Sequence, residues 1–177
     1  MKQYWFDSYG NIRFPFGTSQ ESNTIELIHD AFQPLSSWQG FEAAPNFQGV
    51  MMDTHIYQMF SQEEVSQSQS AHIAVCILWS PYGRGLILCQ SACAQGANVQ
   101  SLTSLWTVVG EWTTASTDCA KYLNGRGLGA RFDGTFPGST RVGSCTGQTG
   151  SRSTFSSSLK TFMRQYFEAQ VSCWCFA

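Results

Sequence analysis

An α/β fold on parallel strands is what the sequence predicts, and three observations predict it. Short apolar runs recur, separated by helical patterns or long loops, the alternation that marks βαβ units. Each run ends in polar residues able to do chemistry: His29 and Asp30 after the first, Asp53, His55 and Tyr57 after the second, Glu111 after the third. The third run, Trp106-Thr-Val-Val-Gly-Glu-Trp112, sets two β-branched residues behind an aromatic and then delivers a glutamate. That is the pattern of a buried strand carrying a side chain to its C-terminal end. In a closed β/α barrel all such strand ends meet at one catalytic mouth, so the expected fold is a partial (β/α)8, or TIM, barrel. A complete barrel takes eight strands in ~250 residues; only three strand candidates occur in these 177 residues.

Taken in order, Met1 to Arg13 predicts a helix, with Trp5, Tyr9 and Ile12 on one face. Pro15 to Asn23 is a Pro/Gly/Ser-rich loop, and Thr24 to Ile28 is the first strand candidate, ending in His29-Asp30. A loop from Gln33 to Gln48 carries Trp38, Phe41 and two prolines. Val50-Met51-Met52 is the second strand and runs into Asp53-Thr-His-Ile-Tyr-Gln58. Ser61 to Glu64 fits a Ser-x-x-Glu capping box and should open a polar helix extending towards His72. From Cys76 to Leu105 no usable period is found. The third strand follows, then a Gly-rich loop from Thr113 to Cys145, whose length is typical of functional loops. The clearest helix is Phe155 to Val171, with Phe155, Leu159, Phe162, Met163 and Tyr166 on one stripe.

Charged residues make up 12% of the chain, about half the usual ~25%, while Ser, Gly, Gln and aromatics are plentiful. The net charge is −2 with no Lys/Arg run, which argues against nucleic acid and anionic membranes as partners. The longest apolar run, Ile73 to Trp79, is too short to span a bilayer. Seven cysteines suit an oxidising compartment and, being odd in number, leave at least one unpaired. The N-terminus lacks the apolar core of a signal peptide, so the natural beginning of the protein is expected to lie upstream. Neither Cys89-x₃-Cys93 nor Cys173-x-Cys175 has partner ligands at zinc spacing, and no P-loop, dinucleotide or Gly-x-Ser-x-Gly motif occurs. No metal and no cofactor are expected.

The run Val108-Val-Gly-Glu-Trp-Thr-Thr-Ala-Ser-Thr-Asp-Cys-Ala-Lys-Tyr-Leu-Asn-Gly125, followed by Gly-Ala-Arg-Phe-Asp-Gly134 and Gly-Ser-Cys145, resembles the fungal exo-β-1,3-glucanases. These are the glucan 1,3-β-glucosidases of glycoside hydrolase family 5. His29-Asp-Ala-Phe-Gln33 and Asp53-Thr-His-Ile-Tyr-Gln-Met-Phe60 resemble that family in the same order. The resemblance covers most of residues 1–75 and 92–171. It implies one incomplete glycosidase barrel domain over 1–177, from roughly the fourth helix through the seventh, with 76–91 and 172–177 atypical. Those two stretches are expected to be translated non-coding sequence or the product of a faulty gene model.

By resemblance Glu111 is the nucleophile of a retaining β-1,3-glucan glucohydrolase. Tyr57 is the hydroxyl that holds it ionised, and His55 contacts sugar and carboxylate. Phe60 is half of an aromatic gate, while His29 and Asp30 have supporting roles at the mouth. Trp112, Trp38 and Phe132 either line the sugar surface or pack the loops. Cys119 and Cys145 are expected to pair. The implied partner is β-1,3-glucan or an oligosaccharide, met by a monomer in the cell wall or outside the cell. The family's acid/base glutamate sits in an Asn-Glu-Pro motif, which this sequence does not contain, and its eighth strand is not found after Val171. Little activity is therefore expected of these 177 residues alone. Two other readings stay open: a non-catalytic β-glucan-binding protein, and a chain with no function of its own.

Overall fold

The computed structural model describes residues 1–77 and 99–171. The chain forms two compact units, Met1–His55 with Gln95–Glu111, and Ile56–Ala94 with Trp112–Ala177. The atypical stretch 76–91 lies outside the described residues from 78 onward, as does 172–177. Among the described residues no helix is long and apolar enough to cross a membrane.

The first unit carries a three-stranded sheet in the order β1-β2-β3. Helix α1 (Lys2–Arg13) forms where its period predicts, burying Tyr9 and Arg13. Strand β1 (Glu26–His29) pairs in parallel with β2 (Val50–Ile56), with Glu26 opposite Val50 and His29 opposite Asp53. β2 is longer than the apolar run that announced it. Val50, Met52 and Thr54 are buried on one face, so Asp53 and His55 continue the alternation on the other. Thr54 can be buried because its hydroxyl donates to Asp30 Oδ2 at 2.6 Å. The core joins Tyr9, Ile28, Trp38, Val50, Met52, Val99 and Leu105. Trp38, in a 3-10 turn (Leu35–Trp38), is 1% exposed and donates from Nε1 to the Asp30 carbonyl at 3.1 Å. It packs the core.

Strand β3 (Trp106–Trp112) forms over the run that predicts it but departs from expectation in burial. It is not buried: its residues are largely exposed or half-buried, with Trp106 72% exposed. The strand order explains this. β3 is an edge with β2 as its one neighbour among the described strands, and the core takes its side chain from Leu105, just before the strand begins.

Besides Asp30, two glutamates lie inside this unit. Glu26 is 1% and Glu42 3% exposed. Ser8 donates to Glu26 at 2.8 Å, whereas both Glu42 carboxylate oxygens lack a hydrogen-bond partner among the described residues. Desolvation, helped by the charge of Glu26, pushes the Glu42 carboxyl up to about 7. An acid raised on folding stabilises the fold while it is protonated in both states, so that contribution is complete below about 4.5 and lost as pH rises to about 7. The urea midpoint followed by tryptophan fluorescence should fall across that window, and Glu42→Gln should flatten the fall. An unaltered pH profile in the variant would contradict the assignment.

In the second unit the predicted capping box forms. Ser61 Oγ accepts the Glu64 N–H at 3.1 Å and Glu64 Oε2 accepts that of Ser61 at 2.9 Å. The single helix expected beyond it is two: α2 (Gln62–Val65) and α3 (Gln69–Ile77). Serines break it. Ser66 Oγ returns to the Gln62 carbonyl at 2.6 Å, and Ser68 Oγ accepts the Ala71 N–H at 3.1 Å, starting a new helix. Helix α4 (Ser157–Val171) buries Leu159, Phe162, Tyr166 and Ala169, with Ile73 of α3 packed against them. His72 is fully buried beside the Phe162 and Tyr166 rings, and burial pushes its imidazole down.

The loop from 113 to 145 has neither helix nor strand, yet it is built around a buried ion. Asp118, 1% exposed, accepts the backbone N–H groups of Arg131 and Phe132 at 2.8 and 3.1 Å, and Asn124 Nδ2 at 2.8 Å. Burial alone would raise its carboxyl; these donors and the Arg131 guanidinium bring it below the ordinary value. Phe132 packs the loop, its ring so close to Gly143 that a Cβ there would approach to 2.6 Å. Cys119 and Cys145, 26 residues apart, are disulfide-bonded as expected. Closing a loop of that length limits the unfolded chain by very roughly 3–4 kcal/mol. The Cys119→Ser/Cys145→Ser protein should lose a comparable stability in denaturant titration; an unchanged midpoint would show the loop stands on Asp118 alone.

Candidate active site

In the first unit the strand ends bring four predicted residues together. His29 ends β1 opposite Asp53, and the turn after it carries Asp30. Asp30 is 5% exposed; its carboxylate accepts the Thr54 hydroxyl and, at 2.9 Å, the Phe32 N–H. It therefore supports the turn from beneath. His29 Nδ1 accepts the Ala31 N–H at 3.1 Å, and its ring lies beside that of His55, tilted by 58° with centroids 4.3 Å apart.

His55 stands between two carboxylates. Its Nε2 lies 3.2 Å from Asp53 Oδ2 and its Nδ1 lies 3.4 Å from Glu111 Oε2. The imidazole and Asp53 side chains are 18% and 17% exposed, whereas that of Glu111 is 59% exposed. Glu111 is thus open to an incoming molecule on one side and faced by an imidazole on the other. An accessible carboxylate with a fixed neighbour can act as nucleophile or base. Asp53 is anchored in turn, its Oδ1 accepting the Gly110 N–H at 2.9 Å. Among the described residues no group of three or more His, Cys, Asp or Glu side chains is disposed to hold a metal ion.

The other predicted residues belong to the second unit. Tyr57 and Phe60 meet edge to face at 5.3 Å, with Phe60 40% exposed. Trp112 is half-buried, and its ring lies 5.5 Å from that of Phe167 on α4.

With this geometry in view, similarity to known proteins becomes informative. Over 98% of the chain, the sequence is 40% identical to a glucan 1,3-beta-glucosidase of Blumeria graminis. It is 36% identical to a probable glucan 1,3-beta-glucosidase A of Aspergillus niger over 98% of the chain. A glucan 1,3-beta-glucosidase of Lachancea kluyveri is 34% identical over 99% of the chain. The chain is related to the glucan 1,3-beta-glucosidases. It spans 36% of the length of the first two relatives and 38% of the third. No family model matches it.

The relationship agrees with the resemblance read from Val108–Gly125 and Asp53–Phe60. Sequence reasoning left Asp53 without a role and overlooked Gly110 and Phe32. The signal for Asp53 was available, since it sits two residues from His55 and so shares its face of an extended chain. Phe32 lies in the family-like stretch His29–Gln33, but no role was read for it there. It is 67% exposed and reaches the His29 ring, 5.3 Å away, only because Asp30 turns the chain.

The Asp30–Thr54 bond is the support most easily tested. Thr54→Val keeps the shape and leaves one oxygen of a buried carboxylate unmatched, at a cost of ~1–3 kcal/mol. Urea unfolding should show that loss, and Thr54→Ser should recover most of it. Equal stability of the Val variant and the unsubstituted protein would remove Asp30 from its supporting role.

Proposed function

We propose that this chain carries the nucleophile side of a retaining β-1,3-glucan glucohydrolase site, with Glu111 attacking the anomeric carbon. The observation that supports it best is the exposed Glu111 carboxylate at a strand end, 3.4 Å from His55 Nδ1, in a chain related to glucan 1,3-beta-glucosidases. In such a reaction Glu111 Oε forms a bond to the sugar carbon as the glycosidic bond breaks, and the leaving oxygen takes a proton. Water then hydrolyses the glycosyl-enzyme and restores the carboxylate. His55 orients Glu111, and within the second unit Tyr57, Phe60 and Trp112 are a hydroxyl and aromatic rings of the kind that bind a pyranose. His29 and Asp30 hold the turn below. The substrate is a β-1,3-glucan or its oligosaccharides, and the low charge and the Cys119–Cys145 disulfide suit work in the cell wall or outside the cell.

The proton donor is the part these residues do not supply. A retaining site needs a second carboxyl ~5–5.5 Å from the nucleophile. Asp30 is buried against Thr54, Asp53 is bound to Gly110 and His55, and the 177 residues contain no Asn-Glu-Pro. Acid assistance contributes ~10²–10⁴-fold to ordinary substrates, so the leaving group should decide what the chain can cleave. Glucose release from a β-1,3-glucan is expected to be undetectable. A dinitrophenyl 2-deoxy-2-fluoro-β-glucoside, which needs no proton, should leave its fluoroglucosyl group on the peptide containing Glu111, and Glu111→Ala should abolish the labelling. A label on Asp53, or ordinary turnover of the polymer, would overturn the reading.

A further inference from the structure

The Asp53 carboxylate belongs to two strands at once. Its Oδ1 accepts the Gly110 N–H at 2.9 Å, and a Cβ on residue 110 would come within 2.2 Å of that oxygen. Only glycine lets the carboxylate approach β3 so closely. Its Oδ2 faces His55 Nε2 at 3.2 Å. An ionised carboxylate only accepts, so Nε2 must carry the hydrogen. In the neutral ring Nδ1 is then bare, and it is this nitrogen that lies 3.4 Å from Glu111 Oε2. Two lone pairs face each other there until a proton enters between them. Once the ring takes that proton it donates to both carboxylates, and Glu111 is held as an anion in a fixed direction.

We propose that Asp53 is a positioning residue: it fixes the tautomer of His55 and so makes Nδ1 the nitrogen that shares a proton with Glu111. The idea rests on reading Glu111 as the reacting carboxylate, and the geometry on which it is built lies wholly within the first unit. Among the described residues, the groups that face His55 are Asp53, Glu111, the His29 ring at 4.3 Å and the Phe32 ring at 6.1 Å. His29 does not compete for the same proton, because its Nδ1 already accepts from Ala31 and its Nε2 points towards Asp30 Oδ1, 3.8 Å away.

The exchange Asp53→Asn tests this without any turnover. The Gly110 N–H still requires an oxygen, so the new amide must turn its NH2 group to His55 Nε2. That nitrogen becomes the acceptor, and the ring hydrogen moves to Nδ1, where it donates to Glu111. The full chain, labelled with ¹⁵N-histidine, holds only three histidines, and His55→Gln identifies the signals of His55. At a pH where the ring is neutral, long-range proton–nitrogen correlations should show Nε2–H in the unsubstituted protein and Nδ1–H in Asp53→Asn. Gly110→Ala, which pushes the carboxylate away, should give the averaged pattern of a free imidazole.

An averaged pattern in the unsubstituted protein, or the same tautomer with and without the Asp53 carboxylate, overturns the proposal. The unsubstituted chain also gives a reading that needs no variant to fold: a protected Nε2–H proton is expected, and a bare Nε2 refutes the role. A switched tautomer with no covalent labelling of Glu111 would leave Asp53 in place and sink the assignment of the nucleophile instead.

Discussion

The grip of the Asp53 carboxylate on both β3 and His55 is the constraint on which the strand-end arrangement of the first unit depends. One oxygen meets the Gly110 backbone at 2.9 Å, and the other meets the His55 ring at 3.2 Å. Glu111 follows Gly110 directly in the strand, so the bond that locates Gly110 also sets where the Glu111 side chain begins. The imidazole between them is oriented by the same carboxylate that locates the strand. A side-chain-to-backbone bond at this position therefore does two jobs. It adds to the pairing of an edge strand, and it gives an exposed carboxylate a neighbour with a fixed direction. An exposed glutamate would otherwise be free to adopt several rotamers, and ordering it costs entropy that a preset imidazole helps to offset.

Buried ions divide this chain into places where the charge is matched and places where it is not. Asp118 collects two backbone N–H groups, an amide and a guanidinium, and because those donors come from separate points along the loop from 113 to 145 they tie it together without helix or strand. Asp30 is matched more modestly, by a hydroxyl and one N–H. Glu42 has neither oxygen satisfied among the described residues, and its proton is retained to about 7. Matched acids hold turns and loops in place. The unmatched one makes the first unit sensitive to pH.

The sheet carries the imprint of its short length. With the order β1-β2-β3, the outer two strands have one neighbour each among the described strands, and apolar side chains stand open on both: Leu27 is 45%, Val108 38% and Trp106 72% exposed. Edges and faces of this kind are normally covered or charged in a stable protein, because they recruit other strands. The chain spans about 36% of the length of its glucan 1,3-beta-glucosidase relatives, and the uncovered surfaces lie on the same strands that bear His29 and Glu111.

The sequence by itself determined what depends on neighbours a few residues away. The 3.6-residue period placed α1 and α4, Ser61 and Glu64 marked a helix start, and the parallel pairing of the first two strands followed from short apolar runs spaced by loops. The motifs around Glu111 and Asp53–Phe60 were legible as a glucan 1,3-beta-glucosidase pattern because they are contiguous. What only the tertiary structure decided are contacts made across many residues. Thr54 counts as buried because Asp30, 24 positions away, receives its hydroxyl, and β2 is long for that reason. Trp38 entered the core through a bond to the Asp30 carbonyl, an outcome its loop composition did not foretell. β3 lies exposed because burial is a property of what packs against a strand, and two valines behind an aromatic do not supply that partner. Asp53 acquired its role in the same way, from a glycine 57 residues distant whose missing Cβ is the space the carboxylate occupies.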